Sequence, residues 1–332
     1  YVVLGGSDYG AGILELLPAG DLRDRQKQVI NHAMGPVWEA NHIWLILVVV
    51  ILFTGFPSIF TTLMNILHLP MLALLVGVVV RGTAFTFRHY DPVQTGRSQQ
   101  VYTALFGLSS LWSALWLGII VASLNRGLID PKATEVWSAY VAPWWGVYPL
   151  AVGGFVVCIF VFLASVYLVG ETEDAVLKKH FLRRAVAANI AVVVSGGLVF
   201  ATSFLEQESL PQVFFRSPTT IGVMVLATAF FAILWLSVAR NRAIVTRVIA
   251  AGQVTLILLG WWLLYAPNAL LTREKPLSFY EAAAPEATLV QLVIALLIGS
   301  LFIFPSLVML LRVFKRRADK DGLAKDTTLA DR

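Results

Sequence analysis

Met34-Gly35-Pro36-Val37-Trp38-Glu39-Ala40-Asn41-His42-Ile43-Trp44 runs directly into the apolar stretch 43–56. It therefore stands where a membrane-spanning helix begins. Yet it carries a carboxylate (Glu39), an amide (Asn41), an imidazole (His42) and two indoles (Trp38, Trp44). Polar groups at a hydrocarbon boundary are costly unless paired or hydrated, so they read by default as functional. The plainer alternative is interfacial anchoring, for which Trp and Asn at helix ends serve well.

Working outward, the chain of 332 residues is 58% hydrophobic and only 14% charged. A soluble domain averages about 45–50% apolar and about 25% charged. This composition describes an all-α polytopic membrane protein. A spanning helix needs roughly 20 apolar residues. Apolar runs between polar breaks predict about nine spans, near 1–17, 37–57, 66–87, 101–124, 145–170, 184–205, 219–239, 246–266 and 288–313. The chain starts at Tyr1 in mid-hydrophobic stretch, which predicts a first helix truncated at its N-terminus. Residues 1–314 are expected to form a single transmembrane domain and 315–332 a charged cytoplasmic tail. Cys158, the one cysteine, lies inside an apolar run and reads as packing, with no disulfide or thiolate metal site. Nucleotide-binding glycine patterns and nucleic-acid-binding features are absent from the sequence.

The basic residues orient the chain. Of 25 Lys and Arg, 19 fall in the connections after spans one, three, five and seven and in the tail. Five fall in the other connections, and Arg81 lies within a span. The positive-inside rule then places the C-terminus in the cytoplasm and the N-terminus outside. The outer connections are of another kind: Tyr140, Trp144, Trp145 and Tyr148 read as an aromatic belt.

Asp8, Glu15, Glu39 and Arg81 are the ionisable residues in or at the edge of the early spans. At 1.5 Å per residue, Glu39 lies about 5 Å and Arg81 about 9 Å from the cytoplasmic face, on neighbouring antiparallel helices. A Glu39–Arg81 pair, direct or through water, is expected, with Asp8 deeper near mid-membrane. Such a cluster passes protons inward or, on the plainer reading, locks helices together. His32, His42, His68, His89 and His180 do not place two ligands at one depth on facing helices, so haem ligation by this chain alone is not expected. Protonatable groups without a redox centre imply a partner that carries one.

Three motifs in order, Ser7-Asp8-Tyr9-Gly10-Ala11-Gly12, Gly35-Pro36-Val37-Trp38-Glu39-Ala40-Asn41-His42-Ile43-Trp44-Leu45 and Arg81-Gly82-Thr83-Ala84-Phe85-Thr86-Phe87-Arg88-His89, resemble signatures of subunit II of cytochrome bd-type quinol oxidases. Glu281-Ala282-Ala283-Ala284-Pro285, Pro305-Ser306-Leu307 and Arg312-Val313-Phe314-Lys315 resemble the last span of the same family.

The resemblance implies nine transmembrane helices in two four-helix bundles plus one peripheral helix. It implies a place in the bacterial cytoplasmic membrane beside a haem-bearing subunit I, with a small accessory subunit in some cases. Haem b and haem d, or a b-type equivalent, sit in that partner, which also takes the quinol. Subunit II binds no haem, and some members hold a structural quinone. The complex oxidises quinol and reduces oxygen to water, using cytoplasmic protons.

By position, the resemblance assigns Glu39, Asp8 and Arg81 to a proton route, to which His42 is added on its own chemistry. Trp38, Asn41, Trp44 and Arg88 fall to the subunit interface or framework. The family usually has Asp, Gly and Glu or Gln where this chain has Glu39, Ala40 and His42, which marks a divergent branch. His42 lies three residues from Glu39, on the same helix face, and adds a second titratable group. Two other readings share the many spans: the membrane anchor of another quinone-linked oxidoreductase, and a secondary transporter. For the transporter, Gly153-Gly154 and Gly196-Gly197 would be mid-membrane breaks, although helix packing by small residues explains them more simply.

Overall fold

The computed structural model describes the backbone of residues 1–90, 96–206, 208, 210–240, 242–306 and 309. Side chains are described throughout these except at 4, 35–42, 89–90, 239 and 243. The 315–332 tail thus lies outside the described residues.

Nine long helices account for most of the described chain. They are α1 (Val2–Leu16), α2 (Arg23–Gly55), α4 (His68–Tyr90), α5 (Gly96–Ser123), α7 (Val147–Val169), α8 (Ala175–Leu205), α10 (Pro218–Ala239), α11 (Ala243–Tyr265) and α12 (Glu286–Ser306). Seven of them pass alone as long and apolar enough to cross a membrane. The apolar half of α2 passes jointly with the short helix α3 (Pro57–Ile66), from which it is bent by 113°. Helix α1 has 15 residues. The expected spans and the observed helices agree in order and approximate position.

Local chemistry sets several boundaries. Pro57 opens α3, its fixed φ and missing N–H suiting a first helical position and ending α2 at Gly55. Asp174 caps α8 by accepting from the Val176 and Leu177 amides, at 2.9 and 3.4 Å. Ser217 caps α10 in the same way, with Pro218 as the first helical residue. One boundary differs from the sequence reading. Helix α2 begins at Arg23, so most of the first connection is an extension of a 33-residue helix. Its first turns carry Ile30, Ala33 and Met34 onto buried contacts with α1, α7 and α8, and that burial continues the helix past the apolar boundary.

Helix α7 is central, packing on α8, α1 and α5 and more lightly on α11; α1 also packs on α5 and α2, α4 on α5 and α10 on α11. Close contact depends on glycine. A Cβ on Gly118 of α5 would meet the Gly153 Cα of α7 at 2.6 Å, so these helices touch backbone to backbone. Helix α12 is peripheral, with none of its apolar window buried against the rest.

The two ends of the bundle differ. At the basic end lie the close of α1, α4, α7 and α10 and the start of α2, α5, α8 and α11. The opposite end is capped by α3, the short helix α6 (Val136–Tyr140), the short helix α9 (Leu210–Arg216) and a two-stranded antiparallel sheet. That sheet pairs β1 (Asn268–Leu270) with β2 (Leu277–Ser278). The Leu271 amide donates to the Leu124 carbonyl at 2.8 Å and the Arg273 amide to the Ile129 carbonyl at 2.9 Å, tying this loop to the connection after α5.

Candidate functional site

The site begins with the glycines of α1. A Cβ on Gly10 would lie 1.9 Å from the Phe160 carbonyl oxygen of α7, and one on Gly12 would lie 2.2 Å from Ser110 Oγ of α5. Only glycine allows α1 this deep between α5 and α7. Asp8 and Tyr9 are carried with it into the interior, at 0% and 2% exposure.

Arg81 of α4 meets Asp8 there. Its Nη2 donates to Asp8 Oδ1 at 2.5 Å and to the Asp8 carbonyl at 3.1 Å. Its Nε donates to Ser110 Oγ at 2.9 Å. The guanidinium also sits over the Tyr9 ring at 4.6 Å and the Phe106 ring at 4.8 Å. A buried charge needs a partner and hydrogen bonds, and this one has three acceptor contacts, one of them the carboxylate, and two aromatic faces. The Tyr9 and Tyr1 hydroxyls extend the polar network, 3.0 Å apart.

Seven residues further along both helices the arrangement repeats. Arg88 Nη1 donates to Glu15 Oε2 at 2.7 Å, with both side chains 2% exposed. Seven residues are two helical turns, so both carboxylates lie on one face of α1 and both arginines on one face of α4. The rungs are about 10 Å apart at 1.5 Å per residue. Phe106 stands between them, with the Arg88 guanidinium 4.7 Å from the ring already faced by Arg81. The result is a two-rung ladder inside the bundle, running from mid-helix α1 toward the basic end.

The second rung is less complete than the first. Among the described residues, Glu15 Oε1, Arg88 Nε and Arg88 Nη2 are buried without a hydrogen-bond partner. Lys27 of α2, half-buried, lies within electrostatic reach of both groups.

The sequence-predicted residues distribute as follows. Asp8, Arg81 and Arg88 belong to the ladder. The carboxylate that the structure brings to Arg81 is that of Asp8, on α1. Helix α2 carries Trp38, Glu39, Asn41 and His42 in its helical backbone, but their side chains lie outside the described residues, and the Glu39–Arg81 pairing with them. Trp44 is half-buried against Phe304 of α12, ring centroids 6.0 Å apart. Glu15 was visible as an in-span acid, but its partner was not. Ser110, Tyr9 and Phe106 gave no signal on their own. The matched spacing did: Asp8 to Glu15 and Arg81 to Arg88 are both seven residues.

A second charged cluster at the capped end has no counterpart in the sequence reading. Arg126 donates from Nε to Glu208 Oε1 at 2.6 Å and from Nη2 to Glu206 Oε2 at 2.9 Å. It also reaches the Trp145 carbonyl at 2.9 Å. Glu206 Oε1 accepts from the Val147 amide at 2.5 Å. Burial pushes the Glu208 carboxyl above the usual carboxylate range, and the Arg126 guanidinium pulls it back down. This cluster ties the connection before α7 to that after α8.

Known proteins share both the sequence pattern and the fold. The profile of the family described as cytochrome bd terminal oxidase subunit II matches residues 1–314. The cytochrome bd ubiquinol oxidase subunit 2 of Bacillus subtilis (strain 168) is 27% identical over 163 residues, 49% of this chain and 46% of that protein. A putative cytochrome bd menaquinol oxidase subunit II of the same organism is 22% identical over 182 residues, 53% of this chain and 51% of that one. The chain thus spans about half the length of these curated relatives in the alignments. Among solved structures, the bd oxidase from Geobacillus thermodenitrificans superposes with a TM-score of 0.76 over 95% of this chain and 94% of that one, at 21% identity. The chain belongs to the cytochrome bd terminal oxidase subunit II family.

Proposed function

We propose that this chain is the non-haem subunit of a quinol-oxidising terminal oxidase in the bacterial cytoplasmic membrane, its basic end and C-terminus facing the cytoplasm. Its partner is a haem-bearing subunit I, which holds the b- and d-type haems, or b-type equivalents, and takes the quinol. This chain supports that subunit and supplies protons for the reduction of oxygen to water. The observation that carries the reading is the Asp8–Arg81 pair, fully buried and stepped by the second rung toward the basic end.

Oxygen reduction consumes protons, and a haem enclosed by lipid needs a polar path from water. Asp8 provides a protonatable group at mid-membrane depth. Arg81 balances its charge, and Ser110 fixes the guanidinium. In this reading Glu39, about one turn past the apolar boundary near Pro36, is the cytoplasmic mouth, with His42 three residues further along α2, while Trp38, Asn41 and Trp44 belong to the subunit interface or framework. A purely structural ion pair predicts that function survives its replacement by apolar residues, which the double variant described in the Discussion tests directly.

The reading is tested by gentle affinity purification from native membranes and a reduced-minus-oxidised visible spectrum. Haem bands, a second polytopic chain and oxygen uptake on added quinol support it. A colourless eluate from membranes that retain quinol-driven oxygen uptake would refute it. Glu39→Gln is expected to slow turnover with haem loading intact, and unchanged turnover would remove Glu39 from the path.

A further inference from the structure

We propose that Glu15, paired with Arg88, is a second proton-loading group at the basic end, feeding Asp8 in parallel with the α2 entrance at Glu39. This rests on the proton-supply reading given above. It adds an entrance through Glu15 of α1, which lies outside the family motifs.

Three observations carry it. First, the Glu15–Arg88 rung is built unlike a lock. A structural arginine–carboxylate pair gains most from two parallel N–H···O contacts with the remaining atoms satisfied. Here one contact at 2.7 Å is made, while Glu15 Oε1 and Arg88 Nε and Nη2 stay buried without partners among the described residues. The neighbouring Asp8–Arg81 rung shows that the same bundle can give a guanidinium three hydrogen-bond contacts. One free acceptor and two free donors in one buried place are the partners that a bound water requires.

Second, the position is right for an entrance. Glu15 is one residue from the end of α1, and Leu17 beyond it is exposed. Lys27 flanks the pair from α2, and the Gln99 amide donates to the Arg88 carbonyl from α5 at 3.3 Å. The groups around Glu15 are therefore cationic or neutral, and no second carboxylate competes with it among the described ladder contacts.

Third, the rung is in register with the site it would feed. Glu15 lies two turns from Asp8 on the same face, and both arginines rest on one Phe106 ring. In each transfer, Glu15 Oε1 takes a proton from a hydronium on the basic side. It then releases that proton to water leading to Asp8, so both carboxylates return to their starting state.

Parallel entrances have a distinctive signature. In the complete two-subunit oxidase in liposomes, proton uptake from the cytoplasmic side is followed with a pH dye after a single oxygen pulse. Glu15→Gln and Glu39→Gln are each expected to slow uptake about twofold, and the double variant more than about tenfold, a non-additive result. Glu15→Asp keeps the charge and should recover most of the rate. A double variant no slower than Glu39→Gln alone would overturn the proposal. So would a Glu15→Gln variant as slow as the double, which would make the two groups serial. If Glu15→Gln fails to assemble, Glu15→Gln/Arg88→Met removes both charges and is read against the same outcomes. Asp8→Asn separates the two readings. Blocked uptake there with normal uptake in Glu15→Gln removes only the second entrance. Normal uptake in all three single variants removes the proton-supply reading itself.

Discussion

Replacing Asp8 by Leu should be far more damaging than replacing Asp8 and Arg81 together. In the single variant, Arg81 stays 2% exposed beside Tyr9 and Phe106 with its carboxylate gone. Removing one partner of a buried pair costs about 3–5 kcal/mol, because the remaining charge is uncompensated. Adding Arg81→Met removes that charge and fills the space with an unbranched apolar chain. Exchanging a buried pair for apolar residues is often neutral or stabilising. Against this, the two cation–π contacts of Arg81 are lost, at about 0.5–2 kcal/mol each. The double variant should therefore stand within roughly 2 kcal/mol of the parent, with a coupling of at least about 2 kcal/mol in the cycle. Thermal denaturation of the detergent-solubilised complex, followed by size-exclusion chromatography, measures the order of stability. Oxygen consumption on quinol measures the second half. If Asp8 carries protons, the double variant regains stability and not turnover. A double variant that regains both would show that the pair only locks helices. A single variant within about 1 kcal/mol of the parent would contradict the buried, uncompensated charge on which the reasoning rests.

The other expectations are narrower. Gly10→Ala forces a methyl onto the Phe160 carbonyl, 1.9 Å from its ideal position, and should cost at least about 2 kcal/mol or block assembly, scored by yield of the folded complex; normal yield and melting would contradict the close α1–α7 contact. Arg126→Ala leaves Glu206 and Glu208 without their cation and should destabilise by roughly 3 kcal/mol at neutral pH, read from thermal melting. Because burial raises the folded-state Glu208 carboxyl above its unfolded value, protonation favours the folded form, so the variant should gain stability relative to the parent as pH falls through the carboxylate range. A gain on raising pH instead would reverse the assignment. With Cys158 replaced by Ala, Lys132→Cys in the capped-end loop should react with a membrane-impermeant maleimide in intact cells, whereas Arg25→Cys at the basic end should react only after permeabilisation; the opposite pattern would invert the topology.

Much of the architecture was legible before any coordinates, and the reason is the bilayer. Backbone polar groups must be satisfied within each segment, so a run of roughly 20 apolar residues can only be a helix. Runs such as 145–170 and 219–239 return as α7 and α10 within a few residues. The 33-residue α2 and the 113° turn into α3 were not legible, because the packing of Ile30 and Met34, not hydropathy, continues the helix. Asp8 and Arg81 could be named from sequence as charges that a membrane interior does not tolerate alone. Which charge meets which could not, since depth along a helix fixes two groups at one level but not their rotation about the axis. The close seat of α1 against α5 and α7, set by Gly10 and Gly12, turns Asp8 toward Arg81 and Glu15 toward Arg88. The same limit hid the Arg126 cluster, whose carboxylates lie 80 and 82 residues away in the chain. The sequence by itself determined the spans, their order and the residues with chemistry to offer. Only the tertiary structure decided the pairs, because pairing depends on helix rotation and contact distance, which the packing of glycines and aromatic rings sets and a one-dimensional pattern does not record.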